Sequence, residues 1–79
     1  MLWDWDEVFR YLVRKCNQHG GYYELSIDEG AQFKKGSVGK GWGEYNLRRN
    51  IIPRYRRIYP NYKFGISSDR RYLWCVKIR

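Results

Sequence analysis

An α+β fold in one small domain is the class this sequence predicts, and three observations predict it. Apolar residues recur at helical spacing in two stretches, near the start and in the middle of the chain. They alternate in three short stretches, one after the first helical pattern and two at the end. Seventy-nine residues then leave room for one hydrophobic core, and with aromatic residues at 19% a few large rings can fill it.

The first helix is the clearest element. Trp5, Val8, Phe9, Leu12 and Cys16 form one stripe, with Glu7, Arg10 and Arg14 on the opposite side. Asp4 is placed to cap the first turn, Glu7 three residues later completes a capping box, and Trp3 is positioned as a staple onto Val8. Arg14 and Lys15 suit the negative end of the helix dipole, and Gly20-Gly21 supplies the stop.

Tyr22 to Ile27 reads as a short strand with Tyr23, Leu25 and Ile27 facing inward. Residues 28 to 35 admit either a short helix or a second strand. Lys34 to Gly43 carries four glycines and three lysines around Trp42, too much glycine for a helix or a central strand, so it is a loop. Within it Gly36 to Gly41 has the look of a phosphate loop, but the glycine spacing is short and Gly41 stands where the metal-binding Ser or Thr belongs. Nucleotide hydrolysis is rejected on that ground.

Glu44 to Tyr59 places Leu47, Ile51, Tyr55 and Ile58 along one helical face, with Arg48, Arg49, Arg54, Arg56 and Arg57 outside it. Pro53 predicts a kink or a tight restart inside this helix. Asn61 to Arg79 reads as a hairpin in which Tyr62, Phe64 and Ile66 alternate, then Tyr72, Trp74, Val76 and Ile78. A loop of three or five residues puts both rows on one face, with Trp74 in the core. The order is helix, strand, short helix or strand, helix, strand, strand. With a short helix at 28 to 35, that order is the layout of a winged-helix domain, a likeness of architecture with no sequence motif behind it.

Charge is the strongest functional signal. Residues 1 to 30 hold six acids against three bases, a net of −3, while residues 31 to 79 hold thirteen bases against Glu44 and Asp69, a net of +11. Cations at that density repel one another in the folded state, and a polyanionic partner is the simplest reason to carry them. The expected function is nucleic-acid binding by residues 1–79 as one domain, to duplex DNA in the first place. Lys34, Lys35 and Lys40 would grip phosphates from the loop. Arg48, Arg49, Arg54, Arg56 and Arg57 would lie in the groove or along the backbone, and Arg70 and Arg71 would clamp from the hairpin. Trp42 has two readings, an anchor that packs back on the domain or a base-stacking ring, and in the second it joins the contact set.

Two other functions fit the composition. One is a small viral or mobile-element protein that binds and inhibits a host protein, and the other is a single-strand or RNA binder that stacks bases on exposed aromatics such as Tyr45, Tyr59 and Tyr62. Catalysis is not expected: His19 is the one histidine, no Cys or Ser stands in a recognisable relation to it, and the scattered carboxylates Glu24, Asp28, Glu29 and Glu44 are weak evidence for a nuclease-like metal site. No cofactor or metal is expected either, since Cys16 and Cys75 lie in no ligand spacing and read as buried free thiols, with a bridge between the first helix and the last strand as the alternative. The acidic start lacks the basic flank of a signal peptide and no stretch is long and apolar enough for a membrane helix, so a cytoplasmic or nucleoid-associated protein is expected. No heptad or isolated apolar patch is legible, which leaves monomer and homodimer both open.

Overall fold

The computed structural model describes residues 3–36 and 41–79. Helix α1 spans Trp5–Gln18 and strand β1 spans Tyr22–Ser26. A short helix, α2, comes next as an α turn Ile27–Gly30 and a 3-10 turn Ala31–Phe33. The long basic helix, α3, runs without a break through Glu44–Asn46, Leu47–Ile51 and Ile52–Ile58. Strands β2, Tyr62–Ile66, and β3, Tyr72–Lys77, close the chain. The sheet is antiparallel with order β1-β3-β2, so the last strand is central and β2-β3 is a terminal hairpin.

Helix α1 begins where Asp4 accepts a hydrogen bond from the Glu7 amide at 3.3 Å and ends where Gly20 and Gly21 take positive φ, with the Gly21 amide donating to the Cys16 carbonyl. The return half of the expected capping box is not made. The Asp4 amide donates to the Phe33 carbonyl at 2.9 Å, and the Glu7 carboxylate pairs with Arg10 instead. Trp3 packs on Trp5 and Trp42, with ring centroids at 5.8 and 4.6 Å. All five residues of the predicted stripe are buried.

Residues 28 to 35 take the helical option. Ser26 ends the strand one residue early because its hydroxyl caps α2, accepting from the Glu29 amide at 3.0 Å. Tyr11 and Tyr23 both donate to the Glu29 carboxylate, at 2.6 and 2.7 Å, which ties α1, β1 and α2 together.

Pro53 falls in the first turn of the α segment Ile52–Ile58, the tight restart that the sequence allowed, and the helix continues across it. Leu47–Ile51 forms a π turn in which the Ile52 amide reaches back to the Leu47 carbonyl. A wider turn takes up the clash that the proline ring makes with the carbonyl four residues behind it. The extra residue also rotates the last turns of the helix. Leu47, Ile51, Ile52 and Tyr55 carry the buried stripe, and Ile58, expected inside, is exposed.

The hairpin corrects a second expectation. Ser67 and Tyr72 close it with a hydrogen bond across a four-residue loop, 68–71, and β2 pairs Phe64 with Cys75 and Ile66 with Leu73. An even loop puts the opposite parity of β3 against the core. Leu73 and Cys75 are therefore buried beside Phe64 and Ile66, while Tyr72, Trp74 and Val76 lie on the far face and Trp74 is outside the core.

The core sits between α1, α3 and one face of the sheet. Phe9 stacks on Tyr55 of α3 at 4.3 Å and meets Phe64 of β2 edge-on at 4.9 Å, so one ring joins all three layers. Cys16 and Cys75 are free and buried, and the Cys16 thiol donates to the Cys75 carbonyl at 3.6 Å. Burial next to a second thiol pushes the Cys75 thiol well above its ordinary range, which suits an inert core position.

Candidate nucleic-acid interface

Helix α3 turns Leu47, Ile51, Ile52 and Tyr55 inward, and this decides what faces solvent. Four-residue spacing lines up Tyr45, Arg49, Pro53 and Arg57 on the outward side. The Arg49 guanidinium lies over the Tyr45 ring, 5.3 Å from its centroid, and Tyr45 is 72% exposed. One flank of this ridge holds Glu44, Arg48 and Arg56, and the other holds Asn46, Asn50 and Arg54. Asn50 donates to the Asn46 side-chain oxygen at 2.8 Å.

The hairpin loop reaches the start of the same helix. Arg70 sits at positive φ, and Asp69 accepts hydrogen bonds from the Ser67 hydroxyl at 2.6 Å and the Arg71 amide at 3.1 Å. These two contacts hold the Asp69 carboxyl below its ordinary range, the hydroxyl bond first. The turn so built presents Arg70 to Glu44 at 2.9 Å, while Arg48 binds the other oxygen of the same carboxylate at 2.9 Å. One acid thus joins the hairpin tip to the helix.

Lys34 and Lys35 go elsewhere. Lys35 pairs with Asp4 at 3.4 Å, and the Lys34 ammonium lies over the Trp3 ring at 5.4 Å. Arg54 lines a shallow cavity of about 220 Å³ with Asp4, Asp6, Lys35 and Tyr55. Asp6 in turn accepts the Tyr55 hydroxyl, whose pKa is pushed up to about 12 by burial first and then by the Asp6 carboxylate. The acidic start of α1 therefore meets the cationic set here: Asp4 pairs with Lys35, while Arg54 lines the same cavity with no carboxylate within 4.0 Å among the described residues.

The predicted contact set divides accordingly. Arg49, Arg54, Arg56, Arg57 and Arg71 are exposed and have no carboxylate within 4.0 Å among the described residues. Arg48 and Arg70 share Glu44 and remain solvent-facing. Lys40 lies outside the described residues. Trp42 leaves the set: it is 8% exposed, packed between Trp3 and Trp5, with Gly30 so close that a Cβ there would stand 2.7 Å from its ring. Its role is that of loop anchor.

Sequence reasoning missed Asn46 and Asn50. The signal was present, since the two stand beside the Leu47 and Ile51 stripe at a spacing of four from each other. No family model, curated protein or solved structure matches the chain.

Proposed function

We propose that this chain is a nucleic-acid-binding protein that engages duplex DNA with the outward side of α3 and the tip of the β2-β3 hairpin. The observation that carries the reading is the pairing of two features on one surface. Arg49, Arg56 and Arg57 stand on an exposed helix side without carboxylate partners among the described residues, and Glu44 holds Arg70 of the hairpin against that helix.

An α-helix fits the major groove, and Arg side chains pair bidentately with phosphate or with guanine edges. Arg56 and Arg57 in the last turn of α3 also complement the helix dipole, so their placement costs the isolated fold little. The hairpin tip would follow the adjoining backbone with Arg70 and Arg71, in the manner of a wing. Element order agrees with this use, because α2 fills the short-helix position on which the winged-helix layout depends.

A fluorescence-anisotropy competition among duplex DNA, single-stranded DNA and structured RNA at fixed ionic strength tests the reading. Duplex DNA should compete best. With about five phosphates neutralised, log affinity should fall against log salt with a slope of roughly −4 to −5. Absence of affinity for any of the three at low salt, or a stoichiometric protein partner that survives nuclease and high salt, would overturn it.

A further inference from the structure

The sheet has two faces, and the helices cover one. On the other, β3 contributes Tyr72, Trp74 and Val76, β1 contributes Tyr22 and Glu24, and β2 contributes Lys63 and Gly65. Tyr22 is 47% and Tyr72 36% exposed, and Ile78 just beyond β3 is exposed as well. The Trp74 indole lies across β2. A Cβ on Gly65 would stand 2.2 Å from Trp74 Cζ2, so glycine is what allows the ring to lie down. The result is an aromatic face that no helix covers among the described residues.

We propose that this face is where a second copy of the chain docks, in a two-fold pair with β3 of one copy over β3 of the other. The charges identify the occupant. The face carries one base and one acid, Lys63 and Glu24, and neither forms an ion pair within the chain among the described residues. They lie on opposite edge strands, since the order is β1-β3-β2. A two-fold axis along β3 sets β1 of each copy over β2 of the other and brings Glu24 toward Lys63 of the second copy, twice over.

Net charge supports the same choice. At +8, two copies repel over most approaches, and a face with balanced charge is the place where they can meet. A single-stranded nucleic acid would stack on the same rings but needs a row of cations along its backbone, and this face offers one lysine offset by one glutamate. Size sets the strength. Three strands about 4.8 Å apart and five residues long make a patch of roughly 10 by 17 Å before side chains are added, well below the roughly 800 Å² per partner of a standard interface. The pair is therefore weak and concentration-dependent.

Sedimentation velocity from micromolar to submillimolar protein tests this, with melting curves run on every variant. The wild type should pass from monomer to dimer across that range. Glu24→Lys and Lys63→Glu should each weaken the dimer at least about tenfold, because like charges then face each other. The double variant should recover most of the loss, which a folding defect could not do. A monomer at every concentration would overturn the proposal, as would a dimer that Glu24→Lys and Val76→Lys leave intact. Quenching of Trp74 by a single-stranded oligonucleotide, lost in Trp74→Ala without any dimer in the wild type, would reassign the face to base stacking. None of these results depends on duplex binding.

Discussion

The outer side of α3 and the outer face of the sheet are both open to solvent, yet their chemistry is opposite. On α3 stand Arg49, Arg56 and Arg57 with Asn46, Asn50 and Tyr45 between them. On the sheet stand Tyr22, Tyr72, Trp74 and Val76 with one acid and one base. The first is built from groups that lose little by remaining hydrated and gain by meeting phosphate. The second is built from groups that water solvates poorly. Exposure alone does not assign a partner, and the side chains at each surface do.

Separating the two surfaces by mutation sharpens this contrast. The triple variant Arg49→Ala, Arg56→Ala, Arg57→Ala should lose the most, about 100-fold in duplex affinity, and flatten the salt slope by about 2 to 3, while sedimentation stays unchanged. Glu24→Lys should do the reverse, weakening self-association about tenfold with duplex affinity within about twofold. A variant that shifted both readouts together would mean that one surface serves both ends.

Glu44→Gln probes the link between hairpin and helix. It removes the shared carboxylate from Arg48 and Arg70, so the loop 68–71 should show faster amide exchange. Because these pairs are solvent-exposed, stability should fall by less than about 1 kcal/mol and duplex affinity by about two- to fivefold.

Alkaline pH offers the smallest effect and a check on the polar ties beneath both surfaces. Burial first, and then Glu29 for Tyr23 and Asp6 for Tyr55, pushes both phenols up to about 12 in the folded chain. An unfolded tyrosine ionises near 10, so between about pH 10 and 12 the unfolded state holds fewer protons and stability falls with rising pH. Urea midpoints should be flat below pH 9 and decline above 10. Tyr23→Phe and Tyr55→Phe should each reduce that decline.

The sequence made α1 legible almost to the residue because its stripe, its Asp4 cap and its glycine stop all agree. The hairpin was legible as a hairpin but not in its facing. Tyr72, Trp74 and Val76 alternate with Leu73 and Cys75, both rows are apolar, and the choice between them rests on whether the loop is odd or even. Ser67 closing on Tyr72 decides it. Pro53 announced a disturbance whose form, a π turn, depends on neighbours that local preference does not encode. The cationic side of α3 could be read from spacing, whereas the pairing of Lys35 with Asp4 could not. It depends on Asp4 being folded beside a residue far along the chain.

Backbone amide chemical-shift mapping with a short DNA duplex reads both surfaces, the outer side of α3 and the outer sheet face, in one experiment. Perturbations should fall at Tyr45, Arg49, Arg56 and Arg57 of α3 and at Arg70 and Arg71 of the hairpin tip, with Tyr22, Glu24, Trp74 and Val76 unmoved. Shifts centred on the outer sheet face, or none anywhere at low salt, would contradict duplex binding through α3 and the hairpin tip.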